Sequence, residues 1–71
     1  MSVTPMVRTV ATITDADGYS VEVGVDYGRV TIRAAATIAL DVEQAADFRA
    51  AFAEAAQLAA DQQAHLDSAE G

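Results

Sequence analysis

Residues 29–66 read RVTIRAAATIAL followed by DVEQAADFRAAFAEAAQLAADQQAHL, and a change of period inside this stretch decides the fold. Up to Leu40 the pattern repeats every second residue. Val30, Ile32, Ala34, Ala36, Ile38 and Leu40 fall on one side, and Arg29, Thr31, Arg33, Ala35, Thr37 and Ala39 on the other, which predicts a twelve-residue strand with one apolar face. From Val42 onward the composition is strongly helix-forming, with no Gly or Pro before Gly71. Asp41 and Gln44 have the spacing of a capping box, which places the helix N-cap at Asp41. Glu43 and Asp47 add negative charge where the helix macrodipole favours it. The helix is expected to run to about Leu66, with residues 67–71 forming a flexible tail.

Working back toward the N-terminus, Asp26-Tyr27-Gly28-Arg29 reads as a tight hairpin. With Tyr27-Gly28 as a two-residue loop, Val25 faces Val30, Val23 faces Ile32 and Val21 faces Ala34. The same register sets Glu22 opposite Arg33 and Asp26 opposite Arg29, so apolar and charge patterns agree; each such cross-strand pair is worth about 0.2–1 kcal/mol. Asp15-Ala16-Asp17-Gly18 is a second turn, in which an aspartate accepts from its own backbone and Gly18 takes a positive φ. Before it, 6–14 is a strand with Val7, Thr9, Ala11 and Ile13 on one face and Val10 partly exposed on the other. Residues 1–5 carry no periodic signal and are expected to be a loose arm. The expected architecture is α+β: a three-stranded antiparallel meander followed by one long C-terminal helix, as a single domain over 6–66.

Composition limits what such a domain can do. Of its 37 apolar residues 17 are alanine, and there is no Cys to supplement a small core with a disulfide or a thiolate metal site. Oligomerisation is the remaining route to more burial, so a homodimer is expected. Eleven Asp and Glu against four Arg give a net charge of −7, which disfavours nucleic acid and anionic lipid as partners. A basic segment leading into an apolar run is absent, as is any membrane-spanning window, and the expected location is the cytoplasm.

Two faces of the helix are candidates for contact. Ala45, Phe48, Phe52, Ala55, Ala59, Gln62 and Leu66 step by three and four and are expected to face the sheet. Ala46, Ala50, Ala53, Gln57, Ala60 and Ala64 form a second, charge-free stripe on another side, a candidate dimer seam. The helix, roughly 37 Å long at 1.5 Å per residue, overhangs strands of roughly 27 Å. The third strand outruns its partner as well: Thr37, Ala39 and their neighbours up to Leu40 either pair across a twofold axis or turn into the helix.

No residue set rises to a catalytic, cofactor or metal site. His65 is the only histidine, and a solvated position beside Asp61 is its simplest reading. Asp47, Glu54 and Asp61 are two helical turns apart, about 10 Å, too far to share a ligand. The candidate partner surface is Arg29 and Arg33 on the outward sheet face, with Glu22 and Asp26 expected to neutralise both, together with Tyr27 at the hairpin tip. The expectation is a non-enzymatic protein that binds another protein, with an antitoxin-like or transcriptional regulatory module as the alternative.

The run Ile38-Ala39-Leu40-Asp41-Val42-Glu43-Gln44-Ala45, followed by Phe48, Ala51, Phe52, Ala55, Ala56 and Leu58, resembles a pattern in short accessory proteins of actinobacteria and their phages. In those proteins a strand runs into a capped, alanine-rich helix. The resemblance covers 38–60 and implies a small phage-encoded accessory protein; it carries over no functional residue, and the host protein as partner is an expectation from the small core, acidic charge and overhanging helix. The strand order is also similar to that of small antitoxins with three strands and a helix.

Overall fold

Val21, Val23 and Val25 alternate along the most regular segment of the chain, and that segment becomes the middle of the sheet. The structure, a computed structural model, describes residues 6–70 and the side chains of 6–68; the N-terminal arm expected at 1–5 lies outside them. Strand β1 (Val7–Thr14), β2 (Ser20–Asp26) and β3 (Arg29–Ala34) form an antiparallel sheet in the order β1-β2-β3, and helix α1 (Val42–Glu70) crosses one face. The β2–β3 register is the expected one, with Val25 opposite Val30, Val23 opposite Ile32 and Glu22 opposite Arg33.

The core is small and built for close approach. Ile13 and the three valines of β2 meet Ala51, Ala55 and Ala59, with Val23 and Ala55 fully buried. Burial of each valine contributes about 1.5–3 kcal/mol. Alanines at four-residue steps add little area of their own, but they let the helix backbone lie close to the valine row. Phe48, Ala55, Ala59, Gln62 and Leu66 of the expected face turn toward the sheet, and the face departs from expectation only at its edge. Ala51 is buried and Leu58 half-buried, whereas Ala45 is exposed and Phe52 is 43% exposed. A phenylalanine aimed straight at β2 would prop the helix off the sheet. Phe52 instead lies on the flank, stacked on Phe48 at a ring-centroid distance of 6.4 Å.

Two glutamines fix the helix along its length. The capping box forms as expected: the Gln44 amide N–H donates to Asp41 Oδ1 at 2.8 Å, and the Asp41 N–H donates to Gln44 Oε1 at 3.1 Å. The Gln44 side-chain amide also donates to the Thr14 carbonyl at 2.7 Å, at the end of β1. At the other end of the sheet the buried Gln62 Oε1 accepts the Gly28 N–H at 2.8 Å. Eighteen residues make five helical turns, so both glutamines point the same way about 27 Å apart, close to the length of the strands they bracket.

Two element ends and one strand interior differ from expectation, each for a local reason. First, β3 ends at Ala34 instead of Leu40. Its pairing with β2 stops at Val21 opposite Ala34, one residue from the end of that strand, and Ile38 and Leu40 fold back against the core. The Ala39 N–H donates to Asp15 Oδ2 at 3.3 Å, so it is not offered to another strand. Second, β1 carries a bulge: Thr9 pairs with Gly24 and Ala11 with Val23, leaving Val10 without a partner. The extra residue turns both Val10 and Ala11 toward the core and sends Val7, 60% exposed, to the opposite face. Third, α1 continues through Glu70, because residues 67–70 hold no helix breaker and Gln63 donates to Asp67 at 3.0 Å one turn on.

Two substitutions test this packing. Asp15 is 6% exposed and accepts from the N–H groups of Asp17 and Tyr19, both at 2.9 Å, as well as from Ala39. Asp15→Ala should destabilise the fold by about 2–3 kcal/mol in chemical denaturation; a loss under about 0.5 kcal/mol would mean that water replaces these contacts at no cost. Gly24 sits where the bulged β1 backbone crosses it, and a Cβ there would lie 2.6 Å from the Arg8 carbonyl oxygen. Gly24→Ala should cost about 1–3 kcal/mol by the same assay, and a neutral result would show that β1 shifts freely.

Candidate interaction surface

A two-residue hairpin loop that matches the strand twist needs positive φ at both positions, and here the first is a tyrosine. Tyr27 has φ 47° and Gly28 φ 84°, a type I′ geometry. Glycine at position 28 answers a second need, since a Cβ would lie 2.8 Å from Gln63 Oε1 on the helix passing above. Tyr27 is held by its own N–H, which donates to the Met6 carbonyl at 2.9 Å, and its side chain is left 56% exposed. The left-handed region costs a non-glycine residue about 1–2 kcal/mol, so the tip stores strain to display an aromatic ring.

Beside the tip, Arg29 reaches Asp26 at 3.4 Å, the single ion pair among the described residues. Its side chain is 76% exposed, so the pair is worth little in water. Arg33 stands opposite Glu22 in the ladder without forming an ion pair, so the expected neutralisation holds for Arg29 only. On the helix-free face the missing side chain of Gly24 leaves a shallow groove of about 520 Å³. Arg8, Arg33, Glu22, Asp26, Thr9 and Thr31 line it. By register Glu22, Asp26 and Arg33 share this face, whereas Arg8 pairs with the core residue Val25 and borders the groove through its backbone.

The remaining candidates are scattered. Ala46, Ala50, Ala53, Gln57, Ala60 and Ala64 are all exposed, on the side of α1 that points away from the sheet. Thr37 and Ala39 sit in the linker between β3 and α1, where the Ala39 N–H is already bound to Asp15. His65 is exposed, as expected, and Asp61 accepts from Gln57 at 3.1 Å, with no ion pair to His65 among the described residues. Among the described residues no group of three His, Cys, Asp or Glu side chains is placed to hold a metal ion. No described helix is long and apolar enough to cross a membrane. No family model, curated protein or solved structure matches the chain.

Sequence reasoning singled out Tyr27, Arg29 and Arg33 as candidates and did not anticipate the groove. Its signal was Gly24, a glycine inside an otherwise regular strand, which marks a bulge or a close backbone approach.

The strain at the tip gives a direct prediction. Tyr27→Asn, a side chain suited to positive φ, should raise stability by about 0.5–1 kcal/mol, or several degrees in thermal midpoint. A fall in midpoint would show that the tyrosine ring contributes more by packing than its backbone costs.

Proposed function

We propose that this chain is a non-enzymatic protein-interaction module that works as a homodimer and recognises another protein through its β2–β3 hairpin. The observation that carries the reading is Tyr27, an exposed aromatic held in a costly backbone conformation at a tip where asparagine or glycine would be easier. Arg29 follows it on the sheet and Arg33 stands four residues, about 13 Å, further along β3, while the helix presents Glu43, Asp47, Glu54, Asp61 and Asp67 against Arg49 alone. A partner approaching the hairpin therefore meets the least acidic side of a molecule of net charge −7, and an aromatic anchor beside an arginine has the composition of an interaction hot spot. The partner that fits is a protein segment with carboxylates for the arginines and an apolar seat for the ring. The small core, acidic charge and overhanging helix, with the resemblance of 38–60 to phage and actinobacterial accessory proteins, point to a host protein in that role.

Parallel affinity capture with the wild-type chain and the Tyr27→Asn variant tests this. A partner retained by the wild type and lost, by about tenfold or more, from the folded variant is the expected result. Equal recovery on both baits would remove the hairpin from the interaction.

A further inference from the structure

A three-stranded sheet has two open edges, and in this protein they are finished differently. The β1 edge is interrupted by its bulge at Val10, a device that spoils pairing with a further strand. The β3 edge has no bulge or proline over its six residues, and its charges, Arg29 and Arg33, sit at or next to its two ends. The two-residue hairpin makes Asp26 and Arg29 a hydrogen-bonded pair. Alternation then turns the backbone N–H and C=O groups of Arg29, Thr31 and Arg33 toward β2, and those of Val30, Ile32 and Ala34 away from the sheet. Ile32, on the helix side of this edge, is 53% exposed because α1 is centred over β2.

We propose that β3 pairs antiparallel with β3 of a second copy about a twofold axis at Ile32, giving a continuous six-stranded sheet with both helices on one face. This rests on the homodimer reading above and names its surface. The register follows from the residues. An axis at Thr31 sets Arg29 of one copy directly opposite Arg33 of the other, and an axis at Arg33 sets two copies of that arginine face to face; like charges directly opposite are destabilising. An axis at Ile32 engages the free backbone groups of Val30, Ile32 and Ala34 together, places Thr31 opposite Arg33, and covers Ile32 with its own copy. The two β2 strands then lie three strand spacings apart, about 14 Å. Helices centred over them stand beyond the 8–10 Å of direct helix contact. The alanine stripe on the back of α1 is therefore not the seam.

Sedimentation equilibrium at tens of micromolar, with far-UV circular dichroism to verify folding, tests the pairing. The wild type should sediment at twice the 7.4 kDa chain mass. Ile32→Arg should weaken the dimer by about 100-fold or more, since it sets two cations together on the axis, while Ala53→Glu leaves the mass unchanged. Because the chain has no cysteine, Ile32→Cys should cross-link to a covalent dimer on mild oxidation and Ala53→Cys should not. A wild-type monomer overturns the homodimer reading itself. A dimer that survives Ile32→Arg, or that Ile32→Cys fails to cross-link, overturns the β3 edge alone.

Discussion

The carboxylate of Asp15 is the contact on which the arrangement depends. One oxygen closes the β1–β2 turn by accepting from Asp17 and Tyr19, and the other reaches across to the Ala39 N–H. That second contact draws the linker back toward the start of β2, so β3 stops at Ala34 and Ile38 and Leu40 close the end of the core. It also brings Asp41 to the position where its capping box and the Gln44–Thr14 hydrogen bond form together. A single buried acidic side chain thus links the first turn, the end of the last strand and the start of the helix.

From there the helix has little freedom. Gln44 and Gln62 hold it at the two ends of the sheet, and Ala51, Ala55 and Ala59 allow it to settle onto the β2 valines. Close approach over the middle strand leaves the margins uncovered. Ile32 on β3 and Phe52 on the helix flank stay about half exposed, and the helix extends past the hairpin to Glu70. The surfaces argued to carry function, the β3 edge and the Tyr27 tip, are consequences of placing a narrow, alanine-lined helix over one strand of three.

Much of this was legible in the residues. The β2–β3 register followed from valine alternation and from two opposite-charge pairs, and the capping box from Asp41 and Gln44, because both are local patterns with one low-energy solution. The end of β3 was not legible. Alternation through Ile38 and Leu40 is the same whether those side chains belong to a strand or to a linker folding over the core, and only a contact 24 residues away in sequence decides it. The helix face was legible through Phe48, Ala55, Ala59 and Gln62, and missed only in placing Phe52 rather than Ala51 against the sheet. Packing against a flat valine row rewards the smaller side chain. Asp15 read as turn chemistry, which it is, but its second oxygen could be assigned only once the linker was placed. Of the proposed partner surface, Tyr27, Arg29 and Arg33 could be singled out as residue types, whereas the strain at Tyr27 and the open β3 edge depend on backbone geometry.

Amide hydrogen exchange resolved by residue is the most direct test of the Asp15 contact. Ala39 lies in a segment without regular secondary structure and is itself exposed, so an ordinary loop would exchange its amide within seconds. If its N–H is held by Asp15, it should exchange as slowly as the amides of β2, in step with global unfolding. Rapid exchange at Ala39, with β2 protected, would contradict the account.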